Sequence, residues 1–169
     1  MRAGKAVAVL TVTLALQTTL SRVLPSGLPA LDLVLVAVVY VALTSGPVTG
    51  LLAGTFAGLA QDALSSGTVG IGGLAKTIVG YLAGRVGTQL IVAAAFPRFV
   101  VFVGATLLHA LVFIGLYRVL DLRDFPSPYV GVAEQAASNA VVGVMAFQVV
   151  EFLPGALERR RMAKSRLRR

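Results

Sequence analysis

Few side chains in this sequence could do chemistry, and most of them stand inside apolar runs. Asp62, Lys76, His109, Glu134 and Asn139 belong to a chain of 169 residues that is 57% hydrophobic and 13% charged. An ionisable group in such a run is costly unless it faces a protein interior or a wet cavity. Asp62 closes the stretch GLLAGTFAGLAQD (50–62), and Lys76 stands about six residues, roughly 9 Å, into the next run. Folding those two runs as an antiparallel hairpin around SSGTVG (65–70) brings Asp62 near residues 72–74, within reach of a lysine at 76. The expected result is an Asp62–Lys76 ion pair. Glu134 and Asn139, early in the last run, either anchor their helix or line an outward-facing hollow. His109, in the middle of the fifth run, is expected to be a hydrogen-bonded core residue and not a proton carrier.

Catalytic signatures fail on inspection. The chain has no cysteine and one histidine, which excludes disulfides, thiolate catalysis and histidine-rich metal sites. LSSG (64–67) is similar to the serine turn of intramembrane serine proteases, but it lacks the leading glycine, and no histidine-bearing motif surrounds His109. GIGG (70–73) has no strand before it, so a nucleotide-binding reading has no context. The expectation is a non-enzyme with no catalytic residue, cofactor or metal.

The elements that must position these residues are membrane spans. A soluble domain is about 25% charged, and the mean hydropathy here is +0.87. Breaks at LPSGLP (24–29), SGP (45–47), SSGTVG (65–70), AFPR (95–98) and LRDFPSP (122–128) predict six spans, at 5–24, 29–45, 47–65, 69–89, 97–120 and 130–153. The first run has a basic start but no convincing cleavage site, and reads as a retained helix and not a secretory signal. The expected fold is an all-α integral membrane protein, a six-helix bundle over residues 1–157 followed by a basic cytoplasmic tail, 158–169.

Two of the spans carry small residues four apart. Gly50, Gly54, Gly58 and Asp62 form one stripe, and Gly72, Lys76, Gly80 and Gly84 form another. Small stripes let helix backbones approach closely in lipid, where packing drives association. They are expected to form a helix-packing seam.

Lysine and arginine placement sets the orientation. With the amino terminus in the cytoplasm, Arg2, Lys5, Arg85, Arg98 and seven basic residues of the tail lie inside, 11 of the 15 in the chain. Arg22, Arg118 and Arg123 lie outside. Both termini are then cytoplasmic. The tail residues Arg159, Arg160, Arg161, Lys164, Arg166, Arg168 and Arg169 are expected to contact anionic lipid, at about 1 kcal/mol each, and not nucleic acid, since no binding module surrounds them.

The segment 29–86 strongly resembles the rod shape-determining protein family MreD. The resemblance lies in Pro29 and Asp32 opening an apolar span, Gly46–Pro47, Asp62, Ser65 to Gly67, Gly70, and Val79 to Gly84, with Asn139 early in the last span. Lys76 departs from that pattern. The resemblance implies a non-enzymatic subunit of the bacterial cell-elongation complex in the cytoplasmic (inner) membrane. It would bind MreC and act beside RodA, its partner transpeptidase and the MreB filament in peptidoglycan synthesis. It also implies a fold similar to the substrate-binding subunits of energy-coupling-factor vitamin transporters, which makes such a subunit the alternative. Those subunits usually carry an Ala-xxx-Ala seam on the first helix; Thr11, Ala15 and Thr19 stand here instead.

Overall fold

The computed structural model describes residues 3–23, 31–65, 68–89, 94–122 and 128–166, with backbone alone from residue 153 onward. All elements among these residues are helices: α1 (Ala3–Val23), α2 (Leu33–Ser45), α3 (Pro47–Leu64), α4 (Ile71–Gln89), α5 (Ala95–Val119) and α6 (Tyr129–Arg166). Three segments, Gly4–Arg22, Ala95–Val119 and Tyr129–Phe152, are long and apolar enough to cross a membrane by length and composition. Helix α6 continues across residue 157, where the sequence places the end of the membrane portion.

Helix α2 is the centre of the bundle. Its sequence LVLVAVVYVALTS carries no charge, and Val34 to Val39, Val41 and Ala42 are all buried. Every other helix touches it. A helix that is apolar all round belongs in an interior. At 13 residues it is about 20 Å long, short of a hydrocarbon core of about 30 Å. It begins at Leu33, four residues later than the expected span, because Asp32 caps it: the Asp32 Oδ1 atom accepts from Leu35 N at 2.9 Å. Residues 24–30, including Pro29, lie outside the described residues.

Helices α3 and α4 form the most extensive helix pair in the structure. Gly50 lies against Gly80, Gly54 against the Lys76 backbone, Gly58 against Gly73, and Gly84 against Pro47. A Cβ at Gly50, Gly54, Gly58, Gly80 or Gly84 would overlap backbone atoms of the facing helix. Thr55 and Thr77 add a hydroxyl–hydroxyl hydrogen bond of 2.8 Å across the pair. The turn between α2 and α3 is a single residue, Gly46, at φ +89°, a conformation that favours glycine.

Helices α5 and α6 pair through unlike contacts along their length. At one end Arg98 binds the Glu151 carboxylate through both Nη atoms and lies over the Phe147 ring, 4.4 Å from its centroid. Further along, the Phe102 ring fills the space left by Gly143, and Thr106 receives a hydrogen bond from Asn139. Outward faces of the bundle carry large apolar side chains such as Phe56, Leu111 and Val130, a surface suited to lipid or to a partner helix.

Candidate functional site

The start of α2 is where polar side chains of five helices meet, buried except for the half-buried Gln17 of α1. A helix start leaves backbone N–H groups without intrahelical partners, and here it lies inside the bundle, where water cannot serve all of them. Side chains from elsewhere in the chain take that place. Asn139 Oδ1 (α6) accepts from Asp32 N at 3.0 Å, and Gln17 Oε1 (α1) accepts from Leu33 N at 2.9 Å. The Gln17 amide also donates to Leu31 O at 3.0 Å. The Asp32 carboxylate serves Leu35 N, as described above.

The other carboxylate oxygen of Asp32 holds a cation. Lys76 Nζ (α4) stands 2.8 Å from Asp32 Oδ2, with both side chains buried. Lys76 Nζ is also 3.2 Å from His109 Nε2 (α5). An ammonium group has only hydrogens to offer, so Nε2 is the acceptor and a neutral imidazole carries its proton on Nδ1. Asn139 in turn donates to Thr106 Oγ1 at 3.2 Å, and Thr106 donates to Phe102 O at 2.9 Å. The result is one continuous polar cluster, from α1 through the α2 start to α4, α5 and α6.

Next to this cluster, a cavity of about 360 Å³ lies between the α3–α4 hairpin and the α5–α6 hairpin. Asp32, Lys76 and His109 line it, together with Gln61, Asp62 and aromatic residues of α5. The arrangement can bind and orient a polar group. It offers no activated nucleophile, and no group of three metal-ligating side chains occurs among the described residues.

The family model for the rod shape-determining protein MreD matches residues 6–153 of the chain. The chain belongs to the MreD family. The match takes in every residue of the polar cluster and the whole α3–α4 seam, and it assigns the chain to rod shape determination. No curated protein and no solved structure matches the chain. The expected likeness to energy-coupling-factor subunits therefore has no match behind it, and nothing supports the vitamin-transport alternative for this MreD-family chain.

Lys76 pairs with Asp32 and not with Asp62, which corrects the expected Asp62–Lys76 pair. Asp62 Oδ2 accepts from Gly70 N at 2.9 Å and Gly73 N at 3.0 Å, so its carboxylate caps the free amides at the start of α4. Lys76 lies more than a turn deeper in α4 and directs its ammonium to Asp32. Of the two roles expected for Glu134 and Asn139, lining a hollow fits neither, and anchoring the helix fits Asn139. Glu134 is exposed, and Asn139 is fully buried and accepts from Asp32 N. His109 is a buried, hydrogen-bonded residue, within the same cluster as Lys76.

Gln17 and Thr106 enter the site without a sequence argument pointing to them, and Asp32 entered only through the MreD resemblance. A signal for Asp32 was nevertheless present. The chain has seven acids, and Asp32 alone directly precedes an uncharged apolar run, where a buried lysine needs its counter-charge. The tail residues Arg159 to Arg169 fall outside the described side chains.

Proposed function

We propose that this chain is a multi-pass subunit of the bacterial cytoplasmic membrane, with both termini inside. It acts as a non-enzymatic scaffold of the cell-elongation complex. It binds MreC and through it biases the synthase formed by RodA and its partner transpeptidase, beside the MreB filament. The basic tail holds the inner surface through anionic lipid. The observation that carries this reading is the MreD match over residues 6–153, which spans the entire bundle. The architecture supports it: a core locked by glycine contacts and a buried ion pair presents apolar outer faces of fixed shape, which is what a partner helix needs.

The test is co-purification from membranes in mild detergent, with a tag on this chain. MreC is expected to enrich well above an unrelated membrane protein of similar abundance. Equal recovery of the two would remove the scaffold reading. A carboxy-terminal reporter active only outside the cell would remove the orientation.

A further inference from the structure

The Asp62 carboxylate is only half used by the start of α4. Oδ2 accepts from Gly70 N and Gly73 N, and Oδ1 accepts no hydrogen bond among the described residues. Oδ1 lies against Gly72, in the space that a Cβ there would take. Asp62 and Gly72 both line the cavity between the two hairpins. The unpartnered side-chain atoms sealed from water, among the described residues, are Ser45 Oγ, Gln61 Oε1 and His109 Nδ1. Asp62 Oδ1 is not one of them, so it keeps accessible surface. A carboxylate oxygen only accepts, and one that is reachable and uncommitted invites a donor.

The lining says which donor. The ion pairs found among the described residues, Asp32–Lys76 and Arg98–Glu151, leave Asp62 out. Lys76, the cation in the lining, is 2.8 Å from Asp32 and 3.2 Å from His109, so its charge is spent at the floor of the cavity. With a neutral His109, two carboxylates and one ammonium leave the lining one negative charge in excess. A carboxylate partly withdrawn from water attracts a cation more strongly than one in bulk water. The cavity runs from that buried floor to an exposed mouth at Ser65, Thr68 and Gly131. Asp62 stands toward the mouth. Gly70 N donates to its Oδ2 and Thr68 N donates to the Tyr117 hydroxyl at 3.3 Å, so carboxylate and phenol meet the same short stretch of backbone. Phe113, Ile114 and Val132 add an apolar side. A hard metal ion takes about six or more oxygens, and no group of three carboxylate or imidazole side chains gathers among the described residues. A volume of about 360 Å³ leaves room for carbon beside the charge.

We propose that this cavity binds a primary ammonium group carried on a short apolar body. The ammonium pairs with Asp62 Oδ1, and the carbon attached to it lies against Phe113, Ile114 and Val132. An ethanolamine phospholipid and a soluble amine present the same group. The site stands on its own geometry and is independent of the scaffold reading.

The test uses the full chain in dodecyl maltoside, a detergent with neither charge nor amine, and two probes of one shape, benzylamine and benzyl alcohol. Saturation-transfer NMR is read against empty micelles. Benzylamine is expected to bind, and benzyl alcohol at least about tenfold more weakly, the effect of one lost charged hydrogen bond. Asp62→Asn keeps an oxygen for the amides of α4 and removes the charge, and is expected to weaken benzylamine by the same factor. Glu134→Gln, which neutralises an exposed acid of α6, is expected to leave it unchanged. A measurement on the unaltered chain decides the matter if Asp62→Asn does not fold. A water-soluble carbodiimide, which joins an amine to a carboxylate, should fix benzylamine to Asp62 faster than to the more exposed Glu134, as read by mass spectrometry of peptides. Displacement of benzylamine by dihexanoyl phosphatidylethanolamine, but not by dihexanoyl phosphatidylglycerol, would assign the group to a lipid headgroup, and displacement by neither would assign it to a soluble amine. Benzylamine signal no greater than in empty micelles, equal binding of the two probes, unchanged binding in a folded Asp62→Asn, or labelling of Asp62 no faster than of Glu134 would each overturn the proposal.

Discussion

Lys76 Nζ lies 2.8 Å from Asp32 Oδ2, joining the second turn of α4 to the first residue before α2, with side-chain exposures of 4% and 7%. Removing one partner of such a pair leaves an uncompensated buried charge, at about 3–5 kcal/mol, whereas removing both is far milder. Asp32→Asn keeps an oxygen for Leu35 N and so isolates the charge. Asp32→Asn and Lys76→Met are each expected to lower the melting temperature in detergent sharply. The double variant should recover much of the loss. A double variant as unstable as the sum of the singles would refute the pairing.

Asp62 makes a separate contribution at the start of α4. Asp62→Ala strips a charged acceptor from two amides and is expected to cost about 1–3 kcal/mol. Combined with Lys76→Met, its effect should be close to additive, because Asp62 bonds the amides of Gly70 and Gly73 and Lys76 pairs with Asp32. A strong coupling, measured by the same thermal unfolding cycle, would show that Asp62 is the counter-ion after all.

The glycine seam has an internal control. Gly80→Ala places a Cβ against the Gly50 carbonyl and should reduce folded yield markedly, since backbone cannot give way as a flexible side chain does. Gly104→Ala, on α5, meets nothing within 4 Å. It should be neutral or slightly stabilising through helix propensity. Size-exclusion recovery of the two variants side by side gives the comparison.

Asn139 ties α6 to the start of α2. Asn139→Leu leaves Asp32 N without its acceptor in a buried place and is expected to cost about 1–3 kcal/mol. Hydrogen exchange should report the loss locally, with faster exchange at Asp32 and Leu33. Exchange that changes evenly across the chain would mean that Asn139 is a general core residue and not a tie to this point.

The six helices and the close α3–α4 pair were legible in the sequence, because apolar run length, breakers and glycine spacing are local properties of the chain; the start of α2 and the end of α6, which runs to Arg166, were not. Four-residue spacing puts Gly50, Gly54 and Gly58 on one face whatever else the protein does. The family was legible for the same reason, since its motif lies within one continuous stretch. Which acid meets Lys76 was not. Asp62 is close to Lys76 along the hairpin, but free amides at the α4 start take its carboxylate. Asp32 is remote in sequence and becomes the partner only because α2 packs in the centre with its first turn buried. Gln17 and Asn139 acquire their roles by the same route, as hydrogen-bond partners for a helix start placed inside the bundle, and Thr106 as a partner of Asn139. Local spacing determined which helices exist and which face is small. The packing of α2 against all the others decided where the charges go, because burial cost and unsatisfied backbone groups are settled only when the whole bundle closes.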